Sequence, residues 1–246
     1  MPQQACGHSH PEKDITTLNK LGFIPIVVHG GGKRINNKLE ELGIKSDFIK
    51  GLRVTNIKTI EVVEKVLIEF NNEIVKALKR ESCNSETINS KQNNIISVVK
   101  ENEKLGFVGT PSEINKIIID RIVNDKKVPV IAPLGLDENN RTYNINADTA
   151  AGSIAKKIKA RRLIIMSDVE GVLDINKKLI PEINSRSISD LIDGEIIRGG
   201  MIPKINNCLD VASNGVKGVV IIDGRKNHSI LFELLSDKGS GTLIRQ

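Results

Sequence analysis

Short apolar runs recur along the chain, and a longer amphipathic stretch follows most of them. Residues 23–28 (FIPIVV), 95–99 (IISVV), 128–134 (VPVIAPL), 163–166 (LIIM) and 218–222 (GVVII) are short, apolar and rich in β-branched side chains. That is the pattern of strands buried on both faces. Residues 57–80, 112–124, 148–157 and 202–213 instead place apolar side chains three and four apart, which predicts helices with one buried stripe. Thr110-Pro111-Ser112-Glu113 reads as a helix start, with an N-cap threonine, proline at the first helical position and an acid at the third. The polar run 82–94 (SCNSETINSKQNN) predicts a surface loop or hairpin. Strand and helix in alternation predict an α/β protein of three layers, α/β/α, with a mainly parallel central sheet. A division near residue 160 would give two packed lobes, residues 12–160 and 161–246.

Composition narrows the classes. The 246 residues are 39% hydrophobic and 27% charged, ordinary for a globular protein. No apolar run approaches the roughly 18 residues that span a bilayer, so no membrane partner is expected. The net charge of +6 comes with 2% aromatic residues, no tryptophan and scattered lysines and arginines. Nucleic-acid sites want clustered charge and stacking rings, so a nucleic-acid partner is not expected, and the charge suits small anionic substrates. Cys6, Cys83 and Cys208 form no CxxC pair, which points to a reducing compartment and to no metal site.

Five stretches could carry chemistry. In 27-VVHGGGKRIN-36 a strand runs into His29-Gly30-Gly31-Gly32 and then a helix. Such glycines let backbone N–H groups approach an anion at a helix N-terminus; they also suit a plain tight turn, and the sequence leaves both open. In 51-GLRVT-55, Arg53 is either a bidentate clamp for a carboxylate or one half of a surface ion pair. In 144-NINAD-148, Asn144 and Asn146 offer amides, and Asp148 stands where a first-turn acid or N-cap belongs. The run 167-SDVEGVLD-174 follows a strand, on the edge where open α/β sheets hold ligands. In 199-GGMIPKIN-206, Lys204 follows a glycine pair and could neutralise phosphate, or lie solvated.

Taken in order, HGGG, GLRVT, LGFVG (105–109), NINAD, SDVEGVL, GGMIPK, IIDGR (221–225) and GSGTLI (239–244) resemble the acetylglutamate kinases of the amino-acid kinase group. The likeness runs from about Glu12 to the C-terminus and leaves residues 1–11 as a non-matching tail. It implies a kinase, a transferase that uses ATP with Mg²⁺ to phosphorylate the side-chain carboxylate of N-acetyl-L-glutamate, the second step of arginine biosynthesis. It implies that Gly31 and Gly32 bind the transferred phosphate and adjoining substrate, that Arg53 clamps the α-carboxylate, and that Asn144 holds the acetamido and carboxylate end. Asp148 would organise the catalytic lysines, and Lys204 would stabilise the phosphoryl group in flight. ATP would lie against Asp168, Val169, Glu170, Gly171, Val172 and Leu173, with Ile196, Ile197 and Arg198. A homo-oligomer in the cytoplasm, or in a plastid stroma, is the corresponding expectation.

The family's first strand carries Lys-x-Gly-Gly, and that run does not occur in this sequence. The resemblance therefore implies one cationic donor fewer and slower phosphoryl transfer in the chain as written. Two further readings stand beside it: a homologue that binds these ligands without turnover, and a different carboxylate or carbamate kinase on the same fold.

Overall fold

The computed structural model describes residues 10–199 and 201–246. Cys6, His8 and most of the expected tail lie outside the described residues. The chain divides into two compact units, one of residues 22–158 and one of 159–246 together with 10–21.

In the unit 22–158 the strand Val128–Ile131 is buried at every position and lies between two parallel neighbours, Val27–Val28 and Ser85–Ile88. Strands with both faces covered read as continuous apolar runs, which is how 128–134 reads. Against these strands pack the helices Gly32–Glu41 and Ile57–Arg80 on one core, Ile35, Leu39, Ile60, Val63, Leu67 and Leu134. A second core, with Ile88, Ile131, Ile119, Ile122 and Ile154, holds the helices Lys116–Asn124 and Ala147–Ile158. Helix, strand and helix layers follow. The long helix begins where its periodicity does, and Asn56 caps it by accepting the Thr59 N–H at 3.0 Å.

Three expectations need correction. Residues 109–114 form a strand that pairs antiparallel with Ile96–Lys100; the helix starts only at Lys116, with Asn115 accepting the Ile117 N–H. Thr-Pro-Ser-Glu mimics a helix start, but this is an edge strand, where a proline is tolerated, and tertiary pairing overrides the local signal. Residues 85–88 are the parallel strand Ser85–Ile88 rather than part of a surface loop, with Asn89 and Ser90 also buried. Of the run 23–28, only Val27–Val28 is paired; Phe23 and Ile24 remain exposed, and Pro25 has no N–H to offer a ladder.

The second unit has a four-stranded mixed sheet. Leu163–Ser167 runs parallel to Val219–Asp223, which meets Thr242–Arg245 antiparallel, and that strand meets Glu182–Asn184 in parallel. The helix Met201–Ser213 buries Ile205, Cys208 and Val211. The helix Pro11–Lys20, assigned by the sequence to the first lobe, belongs with this second unit. Its Leu18 joins Val220, Ile222 and Ile230 in one cluster, and its Asp14 pairs with His228 at 2.7 Å.

Candidate active site

The unit 22–158 contains a cavity of ≈ 200 Å³, lined by Gly31, Gly32, Arg53, Asn144, Asn146 and Val108 among others. Four chosen residues from three separate motifs, Gly31, Gly32, Arg53 and Asn144, thus share one concave surface.

The glycine turn forms its floor. Gly31 is packed so closely that a Cβ there would lie 2.6 Å from Leu67 Cδ2, whereas Gly32 faces open space. The helix that starts at Gly32 has no side-chain cap and no acid in its first turn; Lys33 and Arg34 stand there instead. Cations at a helix N-terminus oppose the helix dipole, and an anion bound to the first N–H groups offsets that. Arg34 is drawn aside, pairing with Glu73 at 2.8 Å and stacking 4.1 Å over Phe70.

A buried polar chain holds this turn from below. His29 Nδ1 lies 2.9 Å from the Gly30 carbonyl, and Nε2 lies 3.1 Å from Asn71 Nδ2. Burial lowers the His29 pKa to about 4; the bond to Gly30 opposes this and the Arg34 charge adds to it. The ring is neutral near pH 7, so Nδ1–H donates to Gly30 and Nε2 accepts from Asn71. Asn71 also donates to the Val130 carbonyl at 3.0 Å and accepts from the Thr87 hydroxyl, which in turn accepts from Asn89 at 3.2 Å. Every member is satisfied, which is the condition under which a buried network rigidifies its surroundings. Sequence reading missed Asn71. The available signal was one amide in the apolar stripe of the long helix, four residues from both Leu67 and Val75.

Arg53 forms the opposite wall. It ends the hairpin Phe48–Ile49 and Leu52–Arg53, whose two turn residues Lys50 and Gly51 both have positive φ, as two-residue hairpins of this hand require. Arg53 is 7% exposed, and burial lowers its pKa from the usual arginine value, though a guanidinium stays charged. It donates to the Ser46 hydroxyl and lies 4.7 Å over the Phe48 ring. Among the described residues no carboxylate stands within ion-pair distance of it. A buried charge without a counter-ion is unfavourable, so the site is poised for an anion.

Asn144 ends the strand Thr142–Asn144, which pairs with Leu134–Leu136. Glu64 on the long helix steadies that strand by accepting from Thr142 and Ser90, each at 2.7 Å. Asn146 caps the next helix through the Thr149 N–H at 3.1 Å, and Asp148 occupies the first helical turn.

The other chosen residues lie in the second unit. Asp168, Val169 and Glu170 follow the strand Leu163–Ser167 at its carboxyl end. Gly171 and Val172 turn inward: the Val172 N–H donates to Thr242 Oγ1 at 2.8 Å, and Gly171 has φ 141 with Thr242 and Leu179 too close for any Cβ. Leu173 pairs with Leu179. Ile197 is buried, and Ile196 and Arg198 flank it. Lys204 lies, partly buried, in the first turn of the helix Met201–Ser213. Among the described residues no group of three or more His, Cys, Asp or Glu could hold a metal ion, and no helix is long and apolar enough to cross a membrane.

A family model described as the amino acid kinase family matches residues 12–223. The acetylglutamate kinase of Pelagibacter ubique (strain HTCC1062) is 70% identical over 234 residues, covering 95% of this chain and 81% of that relative. The acetylglutamate kinase of Campylobacter fetus subsp. fetus (strain 82-40) is 44% identical, covering 95% of this chain and 84% of that one. Among solved structures, smu.665 from Streptococcus mutans UA159 matches with a TM-score of 0.83 at 30% identity, over 95% of this chain and 91% of that one. Fold, sequence and motif order agree: this chain belongs to the amino acid kinase family and, within it, to the acetylglutamate kinases.

Proposed function

We infer that the chain transfers the γ-phosphoryl group of ATP to the side-chain carboxylate of N-acetyl-L-glutamate, giving N-acetylglutamyl 5-phosphate and ADP in the second step of arginine biosynthesis. The observation that carries this reading is Arg53, buried in a cavity wall without a carboxylate among the described residues. A substrate α-carboxylate is the anion of matching shape, because guanidinium binds it through two parallel hydrogen bonds. Asn144 supplies an amide for the acetamido end, and the backbone at Gly31 and Gly32 faces the group that must receive phosphate.

In the reaction one side-chain carboxylate oxygen attacks the γ-phosphorus, and the bond from that phosphorus to the bridging oxygen breaks, leaving ADP. Such a transfer asks for position and charge neutralisation more than for a base. The Gly31 and Gly32 N–H groups and the helix dipole stabilise charge on the phosphoryl oxygens from one side. Lys204 is the cation proposed for the same charge, and Asp148 the acid proposed to organise the catalytic lysine. Asp168, Val169, Glu170, Gly171, Val172, Leu173, Ile196, Ile197 and Arg198 are the residues proposed to receive the nucleotide. Mg²⁺ bound with the nucleotide would supply further charge neutralisation. The bacterial relatives favour the cytoplasm, and a homo-oligomer is the proposed assembly.

The test is a panel of acceptors, N-acetyl-L-glutamate, N-acetyl-L-aspartate, L-glutamate and carbamate, with ADP release and hydroxylamine trapping of the acyl phosphate as readouts. Trapped product with N-acetyl-L-glutamate well above the rest supports the reading. Equal or greater turnover of another acceptor rejects it.

A further inference from the structure

The LGFVG stretch has so far supplied only Val108 to the cavity lining, and its backbone makes further contacts there. Arg53 hangs from a hairpin of only two residue pairs, and an isolated two-stranded hairpin is marginal in water. Something beyond the hairpin must fix it.

The backbone supplies that support at Thr55, which is fully buried. The Thr55 N–H donates to the Leu105 carbonyl at 2.9 Å, and its carbonyl accepts from the Phe107 N–H at 2.7 Å. Its hydroxyl donates back to the Arg53 carbonyl at 2.9 Å. Phe107 then passes the connection on, its carbonyl accepting from the Asn144 N–H at 2.9 Å. One hydrogen-bonded path therefore joins Arg53, Thr55, Phe107 and Asn144, all within one compact unit. Between the two bonds to Thr55 sits Gly106, at φ 69, where a Cβ would stand 2.4 Å from the Thr55 carbonyl oxygen. Only glycine combines that left-handed conformation with so close an approach. The preceding turn, Glu103–Leu105, is itself capped by Asn102, which accepts the Leu105 N–H at 3.1 Å.

We propose that Thr55 and Gly106 form a positioning lock that fixes Arg53 opposite Asn144 and so sets the length of acyl amino acid the cavity accepts. This rests on the reading of Arg53 as the carboxylate clamp. Thr55 touches no substrate; it acts through Arg53. Valine has the shape of threonine but leaves the Arg53 carbonyl without its buried donor, while serine keeps the hydroxyl.

The experiment measures KM for N-acetyl-L-glutamate and for ATP, and the preference for N-acetyl-L-glutamate over N-acetyl-L-aspartate. Thr55→Val is expected to raise KM for N-acetyl-L-glutamate by about tenfold and to relax the preference, as loss of one buried hydrogen bond would. KM for ATP stays within about twofold, and Thr55→Ser restores most of the affinity, because the hydroxyl is what matters. Should Thr55→Val fail to fold, Asn102→Ala, at an exposed position, loosens the same turn and should give a smaller rise of the same kind, about threefold. An unchanged KM for N-acetyl-L-glutamate, or equal rises in both KM values, overturns the lock. Arg53→Lys run alongside separates the two claims: an effect of Arg53→Lys without one of Thr55→Val rejects the lock alone. No effect of Arg53→Lys rejects the clamp beneath it.

Discussion

In the unit 22–158, Arg53 is 7% exposed and has no carboxylate partner among the described residues. In the unit 159–246, Arg225 has a side chain 64% exposed and grips Asp223 with two bonds of 2.8 Å. Arg53 ends a two-residue strand and Arg225 stands two residues beyond the end of another strand, and both guanidinium groups are planar forks suited to a carboxylate. The second fork is filled by the protein's own acid. That pairing lowers the Asp223 pKa to about 2, chiefly through the hydrogen bonds from Arg225. The first is held by Ser46, the Phe48 ring and a buried backbone path, and no carboxylate among the described residues fills it. Residue type is thus the same in the two cases, and the partner distinguishes a filled fork from an open one.

The comparison can be broken in several places. The largest effect is expected at Lys204, the cation proposed for the transition state. Lys204→Ala should lower kcat by about 10²–10³, the usual cost of removing one such donor, with thermal stability moving far less than rate. Steady-state kinetics beside a melting curve reads both. An unaltered kcat removes Lys204 from the mechanism.

The next effect concerns His29, under the glycine turn. Its folded pKa of about 4 lies below the ordinary 6.5, so between those values the unfolded chain binds more protons than the folded one. Stability from this group is therefore complete above pH 6.5, is lost as pH falls toward 4, and levels off below. His29→Asn should flatten that part of the stability–pH curve, followed by thermal melts across the range. A slope identical to the parent's would mean that other groups set it.

Much of this was legible in the chain and some was not. The stripe of residues 57–80 specified a helix because its apolar spacing and length agree. Gly31, Gly32, Arg53 and Asn144 could be chosen one by one, since each is an unusual residue beside an apolar run. That they line one cavity depends on the parallel pairing of Val27–Val28 with Val128–Ile131 and on the Phe107–Asn144 bond, which no local pattern encodes. The same blindness turned Thr110–Glu113 into a helix start. Local propensity is a weak prior where a strand partner is available. Gly106 looked like any loop glycine until the Thr55 carbonyl stood beside it.

The smallest effect is expected on the filled fork. Arg225→Gln should cost about 2 kcal/mol at neutral pH, because the arginine is largely solvated but the carboxylate it leaves behind is buried. It should also raise the Asp223 pKa from about 2 toward the ordinary 3.8. Stability from that carboxylate is present above pH 3.8 and lost as pH falls toward 2, so the variant should melt more nearly like the parent at the acid end. A larger loss at neutral pH would show that the pair supports more than itself.

The central claim is that Arg53 is held without a counter-ion so that a substrate α-carboxylate can supply it. Its most direct test is calorimetry of N-acetyl-L-glutamate against the analogue whose α-carboxylate is a carboxamide, with the parent chain and Arg53→Gln, as a double-mutant cycle. The parent is expected to lose about a hundredfold in affinity for the carboxamide, the scale of a charge-assisted bidentate contact, and Arg53→Gln to bind both ligands about equally and weakly. An equal loss on the carboxamide in both proteins would contradict that claim, because the α-carboxylate would then be recognised somewhere other than Arg53.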